Sequence, residues 1–97
     1  MIQPQSSRVV YMNGEYVNEE DAKISIFDSS LMFGDMVFEI TRTYNGKPFK
    51  LHEHLNRLYA GLKLLEIDPG MPIEEMENIT YKTIDANIET FDDGVDF

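Results

Sequence analysis

The stretch FGDMVFEITRTYNGKPFKLHEHLNRL, residues 33–58, contains the change of hydrophobic period on which the fold prediction rests. Residues 31–44 are rich in Val, Ile, Thr, Phe and Tyr, which predicts a long strand ending at the turn residues Asn45–Gly46. The following KPFKL predicts the returning strand, and Pro48 restricts it to a sheet edge or to its own first residue. From residue 52 the leucines recur at a spacing of about 3.6, which predicts a helix packed on the sheet.

The rest of the chain predicts a second hairpin and a second helix. Asn13–Gly14 lies between two β-rich runs, a pattern typical of a hairpin with a type I′ turn. The alternation in ISIFD, residues 24–28, predicts a short strand, which is closed by a polar turn at Asp28, Ser29 and Ser30. After the break DPG, apolar residues at helical spacing predict a helix from about residue 73 to about residue 89, with Pro72 at its first position. The predicted fold class is α+β, an antiparallel sheet built from hairpins with two helices packed on one face.

Composition and charge limit the classes of function. The 97 residues allow at most one domain, with little stability to spare. Eight basic and 18 acidic residues give a net charge of -10, which would repel nucleic acid and an anionic membrane surface. The absence of cysteine excludes disulfides and thiolate metal sites. With no signal-peptide pattern and no apolar run long enough to span a membrane, a cytoplasmic location is expected.

Two apparent sites are weakened by their spacing. His52 and His54 are two positions apart, so on a helix they would point about 200° away from each other, whereas helical metal ligands use spacings of three or four. We therefore expect no metal site. Asp35 and Glu39 would lie more than ~10 Å apart along a strand, which is too far for shared acid–base work.

Two arginines are better candidates for binding an anion. On a helical wheel Arg57 lies beside His54 and Gly61, and a glycine there would let another chain segment or a ligand come close. The competing interpretation is an exposed pair between Arg57 and Glu53, worth a few tenths of a kcal/mol. Arg42 shares a strand face with large apolar residues, so it must pair with a carboxylate, a ligand or water. The pattern alone leaves these alternatives open.

The order of several short motifs resembles a known family. VVYMNGEYV near the start, followed by DSSLMFGDMVFEITRTYNGKPFKLHEHLNRL at residues 28–58, resembles the amino-terminal domain of the fold-type IV pyridoxal-phosphate enzymes. That family comprises the branched-chain and D-amino-acid aminotransferases, with aminodeoxychorismate lyase. The resemblance covers roughly residues 8–90, and its specificity comes from the ordered set NG, FGD, VFE, NGKPF and HLNRL.

The resemblance implies a cofactor and a set of site residues. In the family, the arginine of the HLxRL element binds the phosphate of pyridoxal 5′-phosphate, and the matching residue is Arg57. Aromatic residues of the FGDMVFE segment correspond to substrate-pocket positions, which implies Phe33 and Phe38 as substrate-binding residues, with Arg42 beside them. Met36 replaces a residue that is commonly small in the family, and Phe33 stands where tyrosine is often found. An apolar pocket is therefore expected.

The resemblance also implies what the chain alone is unable to do. Transamination requires a lysine that forms a Schiff base with the cofactor, and in the family this lysine lies on a second domain. The lysines of this sequence fall at predicted turns or on polar faces: Lys23, Lys47, Lys50, Lys63 and Lys82. We therefore expect residues 1–97 to be a truncated amino-terminal small domain of a class IV aminotransferase, without the catalytic carboxy-terminal domain and inactive alone.

The leading interpretation is a branched-chain-like aminotransferase whose full-length form acts on amino acids and 2-oxo acids. Because an unpaired strand edge and exposed apolar surface are expected, so is self-association into a homo-oligomer. The alternatives are an aminodeoxychorismate lyase fragment and a non-catalytic binding or dimerisation module. Neither nucleic acid nor a membrane is expected as a partner.

Overall fold

The computed structural model of the protein describes residues 8–91 and 95–97. Its strands and helices follow in this order: β1 Val9–Met12, β2 Glu15–Asn18, α1 Ser29–Phe33, β3 Thr43–Tyr44, β4 Lys47–Pro48, α2 Leu51–Leu64 and α3 Ile73–Asn87. Short 3-10 turns follow β2 and α3, at Glu19–Asp21 and Ile88–Thr90. The α+β class is confirmed, but the strands form two separate two-stranded antiparallel sheets rather than one.

Both hairpins form where the Asn-Gly pairs predicted them. β1 pairs with β2 and β3 with β4, each across a two-residue turn. The φ angles are 51° and 87° at Asn13 and Gly14, and 53° and 76° at Asn45 and Gly46. Two successive positive φ values are what a type I′ turn requires, and Asn and Gly tolerate them best. In a sheet of two strands every strand is an edge, as the prediction for Pro48 required.

Two strand predictions were wrong. The residues from Ser29 to Phe33 form α1, where a polar turn and the start of the long strand were predicted, because Asp28 accepts hydrogen bonds from Ser30 N at 2.9 Å and Ser30 Oγ at 2.7 Å. Gly34 ends this helix in the left-handed region. The predicted strand in ISIFD is not assigned within the described residues, since no neighbouring strand pairs with it.

The long predicted strand is correct in its pattern and wrong in its pairing. Only its last two residues are assigned as β3. Yet side-chain exposure along the preceding stretch alternates with period two. The odd-numbered residues 37–43 are buried or half-buried, and the even-numbered residues 36–44 are exposed. We call these the inner and outer faces of segment 36–44. Alternation without a ladder means that the inner face is held by side-chain packing rather than by backbone pairing.

The helices form where they were predicted. α2 begins at Leu51, one residue before its predicted start, and α3 ends at Asn87, two residues before its predicted end. Pro72 is the N-cap of α3 rather than its first residue. α2 packs on α3, and α3 packs on β1. The amide of Asn87 bonds both backbone groups of Val9, donating to its carbonyl at 2.9 Å and accepting from its N–H at 2.7 Å.

The core is small for a chain of this length. The buried residues among those described are Leu51 and Leu55, 5% and 6% exposed, together with Thr43 at 2%. The radius of gyration of 15.0 Å exceeds the ~12.5 Å typical of a compact domain of this length. Large apolar side chains remain exposed along residues 24–40 and on the outer face. The packing within the described residues therefore leaves much of the apolar surface uncovered.

The end of the chain lies against β3. Thr43 N donates to Phe97 O at 2.6 Å, and Thr43 Oγ1 accepts from Phe97 N at 2.8 Å and donates to Asp96 Oδ1 at 3.1 Å. Gly46 N also donates to Asp96 Oδ1 at 3.0 Å, so residues 96–97 are held against β3 and the turn that follows it. The stretch FDDGVDF, residues 91–97, predicts a turn, and its residues 92–94 lie outside the described residues.

Candidate functional site

The candidate site forms where α2 crosses the inner face of segment 36–44. A Cβ placed on Gly61 would lie 3.0 Å from Val37 Cγ1, so the glycine permits the helix to approach the segment closely. This confirms that Gly61 admits another chain segment. Arg57 and His54 lie on the same strip of α2, one and two turns earlier respectively, and they meet the segment at Glu39.

Glu39, His54 and Arg57 form a compact polar cluster, which we call the Glu39 cluster. Arg57 donates from Nη2 to Glu39 Oε1 at 3.0 Å and from Nε to Glu39 Oε2 at 3.4 Å. His54 Nδ1 lies 2.7 Å from Glu39 Oε1 and 2.8 Å from Arg57 Nη2. The carboxylate therefore contacts one edge of the guanidinium with both oxygens, a geometry that lysine is unable to reproduce.

The cluster keeps its carboxylate ionised. The hydrogen bond from Arg57, then that from His54, hold the pKa of Glu39 below its ordinary value, against a smaller opposing effect of desolvation. The hydrogen bond to Glu39 in turn raises the pKa of Arg57. Glu53, which the sequence offered as the helical partner of Arg57, contributes only a weaker Coulomb attraction. The ion pair that Arg57 forms is with Glu39, 18 residues earlier in the chain.

One edge of the guanidinium is left for another ligand. Glu39 takes Nε and Nη2, and within the described residues Nη1 forms no hydrogen bond. The Arg57 side chain is 61% exposed, whereas that of Glu39 is 24% exposed and that of His54 21%. The Glu39 cluster therefore presents a cation that is anchored from the protein side and open on the solvent side. Such an arrangement suits an anion that binds two N–H groups in parallel.

The predicted substrate residues lie elsewhere. Phe38 and Arg42 lie on the outer face of segment 36–44, whereas Arg57 meets the inner face. Phe38 is 72% exposed, and Phe33, in α1, is 74% exposed. The Arg42 guanidinium lies 5.7 Å from the ring centroid of Tyr44, a cation–π distance. The structure thus brings Arg57 together with Glu39 and His54, and it places Phe38 and Arg42 on the opposite face of segment 36–44.

The two histidines have different partners, as their spacing predicted. His52 Nδ1 lies 3.0 Å from Glu77 Oε1 on α3, and this contact raises the pKa of His52. His54 belongs to the Glu39 cluster. Glu39 is the residue that the sequence reasoning missed, because it was considered only as a partner for Asp35. A signal was present: period two puts Glu39 on the inner face, opposite a helical strip carrying a cation.

A cavity of about 350 Å³ lies beside the cluster, between the inner face of segment 36–44, α2 and α3. Glu39 and His54 line it together with apolar residues of both helices, including Leu55, Met76 and Ile84. Arg57 is not among the residues that line it. The cavity belongs to the sparsely filled core.

Comparison with known proteins gives the family. The sequence model of Amino-transferase class IV matches residues 36–92, more than half of the chain. The chain belongs to the class IV aminotransferase family. It is 46% identical over 78 residues to a putative branched-chain-amino-acid aminotransferase of Methanocaldococcus jannaschii, an alignment covering 80% of this chain and 27% of that protein. It is 38% identical over 78 residues to a D-alanine aminotransferase of Staphylococcus epidermidis, covering 80% of this chain and 28% of that one.

A D-alanine aminotransferase of Staphylococcus aureus is 37% identical over 82 residues, covering 84% of this chain and 29% of the relative. This class IV aminotransferase chain thus spans less than a third of the length of each of these relatives. The family match includes segment 36–44, α2 and α3, and therefore the whole Glu39 cluster. None of the helices formed by the described residues is long and apolar enough to cross a membrane.

Proposed function

We propose that this chain acts as the amino-terminal small domain of a longer class IV aminotransferase and that Arg57 binds the phosphate of pyridoxal 5′-phosphate. The observation that carries the proposal is the geometry of the guanidinium. Glu39 fixes its Nε and Nη2 edge, and the Nη1 side remains open to solvent. A phosphate dianion accepts two parallel N–H bonds from such an edge. The shares of 27–29% of the relatives' lengths support a role as one part of a larger enzyme.

The hydrogen-bond donors of this chain fit the phosphate end of pyridoxal phosphate. Arg57 supplies the charged donor for a phosphate, and nothing in the cluster blocks its open edge. When bound, pyridoxal phosphate supplies the electron sink that amino-group transfer requires. Each of the five lysines is exposed, so none has the desolvated surroundings that lower an amine's pKa enough to make it nucleophilic. We therefore expect the chain alone to bind phosphate esters weakly and to show no transaminase activity.

The outer face of segment 36–44, together with Phe33 of α1, gives the proposal its substrate side. Phe33, Phe38 and Arg42 are exposed together with Ile40, which is 76% exposed. We assign Phe33, Phe38 and Arg42 to one wall of a pocket for amino acids and 2-oxo acids, completed in the full-length enzyme. The apolar character of this wall favours a branched-chain side chain. Covering such a surface also favours homo-oligomerisation, and a cytoplasmic location remains part of the proposal.

The binding test uses a ligand without an aldehyde, because pyridoxal phosphate itself can react with surface lysines. Pyridoxine 5′-phosphate and unphosphorylated pyridoxine form a matched pair that differs only in the phosphate. Titration followed by NMR should perturb residues around Arg57 with the phosphorylated ligand and leave them unperturbed with pyridoxine. Arg57→Ala should weaken binding roughly tenfold to a hundredfold, the worth of a charge-assisted contact, and Arg57→Lys should restore only part of it.

Lys63→Ala is the control for net charge, since it removes an exposed cation from the last turn of the same helix. It should bind as the wild type does. Equal loss in Arg57→Ala and Lys63→Ala would reduce the effect to bulk electrostatics and contradict the proposal. Absence of binding by the wild type, with Arg57→Ala identical to it, would favour a non-catalytic binding or dimerisation module. The aminodeoxychorismate lyase alternative shares this half-site, and a full-length protein that releases pyruvate from aminodeoxychorismate would support it.

A further inference from the structure

Two contacts of His54 Nδ1 within the Glu39 cluster require opposite protonation states of that nitrogen. Nδ1 of His54 lies 2.7 Å from Glu39 Oε1 and 2.8 Å from Arg57 Nη2. A ring nitrogen either carries a hydrogen and donates, or keeps a lone pair and accepts. The two contacts are therefore not both hydrogen bonds in any one protonation state of the ring. One of them decides the tautomer, and the other is only a close approach.

The shorter contact decides it. If Nδ1 kept a lone pair, Arg57 could donate to it, but an ionised carboxylate oxygen would face that lone pair at 2.7 Å and repel it. If Nδ1 carries the hydrogen, the imidazole donates to the carboxylate in a charge-assisted bond. Arg57 Nη2 then keeps its own bond to the same oxygen at 3.0 Å. Two donors sharing one carboxylate oxygen is an ordinary arrangement, because that oxygen has more than one lone-pair site.

We propose that His54 is a positioning residue for Arg57, acting through Glu39 as the Nδ1–H tautomer. The inference deepens the function proposed for Arg57 and rests on it. Glu39 accepts from both partners, so His54 fixes the carboxylate and the carboxylate fixes the Nε and Nη2 edge of the guanidinium. The Nη1 side is thereby held towards solvent before any anion arrives.

The exposure of the three side chains supports the positioning role of His54. The side chains of His54 and Glu39 are 21% and 24% exposed, whereas that of Arg57 is 61% exposed. A largely exposed arginine samples many rotamers, and immobilising it on binding carries an entropic cost. Anchoring it beforehand to Glu39, which His54 holds in turn, removes part of that cost. His54 thus strengthens anion binding without touching the anion.

The first test reads the tautomer directly in the wild-type chain. Imidazole 15N chemical shifts, recorded above the pH at which the ring is protonated, distinguish a hydrogen on Nδ1 from one on Nε2. The chain contains two histidines, and the signal that disappears in His54→Leu identifies the right one. The expected result is the Nδ1–H form at His54. The Nε2–H form would overturn the proposal, whatever the binding experiments show.

The second test asks whether this donor matters for binding pyridoxine 5′-phosphate. In His54→Asn the amide nitrogen can take the place of Nδ1, in His54→Gln it falls nearer the place of Nε2, and His54→Leu has no donor. We expect His54→Asn to bind within about twofold of the wild type. His54→Gln and His54→Leu should bind roughly threefold to tenfold more weakly, the effect of one lost hydrogen bond. Equal weakening by His54→Asn and His54→Leu would reduce His54 to a packing role and overturn the proposal, and so would wild-type affinity in His54→Leu.

Failure of the proposed function is distinguishable from failure of this inference. If the wild type binds no phosphate ester, the function proposed for Arg57 fails, and the exchange of the Arg57 Nε–H with water still decides the positioning role. That exchange should be slow in the wild type and in His54→Asn and faster in His54→Leu. The same rate in all three would overturn the proposal. Thermal unfolding of each variant confirms that the comparison is between folded proteins.

Discussion

The two faces of segment 36–44 differ in burial. The inner face meets α2 through Val37 and Glu39, and at its end Thr43 is buried and bonded to Phe97. The outer face carries larger apolar side chains, yet Phe38 and Ile40 are 72% and 76% exposed. Hydrophobicity alone therefore does not decide which face is buried. The inner face is buried because α2 offers a glycine and a cation opposite small and polar side chains, so the backbones approach closely and the charges pair.

The test with the largest expected effect compares the loss of a buried apolar side chain of α2 with the loss of an exposed one on the outer face. Leu55→Ala should destabilise the chain by about 3 kcal/mol, because it opens a cavity in a core with few buried residues. Phe38→Ala should change stability by less than about 0.5 kcal/mol in dilute solution, because little surface is uncovered. Urea unfolding followed by circular dichroism measures both. A loss at Phe38 as large as that at Leu55 would show that the outer face is packed in solution.

A second test concerns the end of the inner face. Thr43→Val keeps the shape of the side chain but removes the hydroxyl that accepts from Phe97 N and donates to Asp96. The expected loss is about 1–2 kcal/mol in unfolding free energy. Thr41→Val is the matched control, since Thr41 lies on the same face and its hydroxyl forms no hydrogen bond within the described residues. If the two substitutions have the same effect, the contact with residues 96–97 contributes nothing to stability.

The close approach of α2 to the segment predicts a coupling between two substitutions. Gly61→Ala gains about 1 kcal/mol of helix propensity, but its Cβ would lie 3.0 Å from Val37 Cγ1. In the Val37→Ala background that conflict is absent, so the gain should appear fully. A double-mutant cycle on unfolding free energies should give a coupling of roughly 0.5–1 kcal/mol. Additive effects would mean that helix and segment are farther apart in solution.

The smallest expected effect is the pH dependence of the Glu39 cluster. Because the pKa of Glu39 is lowered in the folded chain, its contribution to stability is present above the ordinary value of 4.5 and is lost as the pH falls through the folded pKa. Urea midpoints measured from pH 7 downwards should therefore fall more steeply for the wild type than for Glu39→Gln. Asp28 and Asp96 also have lowered pKa values in the folded chain. They contribute to the pH dependence of stability that the wild type and Glu39→Gln have in common. Parallel curves would contradict the ion pair.

Local patterns predicted the elements well where their causes are local. The Asn-Gly pairs predicted both hairpins because two positive φ values are needed there and few other residues tolerate them. Helical spacing predicted α2 and α3 to within two residues at the ends compared. The miss at α1 came from reading Asp28 as part of a turn, although the same side chain can cap a helix. Asp and Ser serve both purposes, and the sequence offers no local means of choosing.

Only half of the Glu39 cluster's ion pair was predicted from the sequence. Arg57 and the approach at Gly61 followed from a helical wheel, since both lie on one strip of a single helix. Its carboxylate partner was missed because the pair joins residues 39 and 57 across two elements, and sequence spacing does not report which face meets which. The nearby Glu53 was the only partner that helix geometry could suggest.

The sequence by itself determined the hairpin turns, the two long helices, the alternation along segment 36–44 and the family to which the chain belongs, because each depends on neighbouring residues or on an ordered set of motifs. The tertiary structure alone decided that the segment has no ladder along most of its length, that its inner face meets α2, and that Glu39 pairs with Arg57. These outcomes depend on long-range packing, in which chain segments far apart in sequence compete for the same surface.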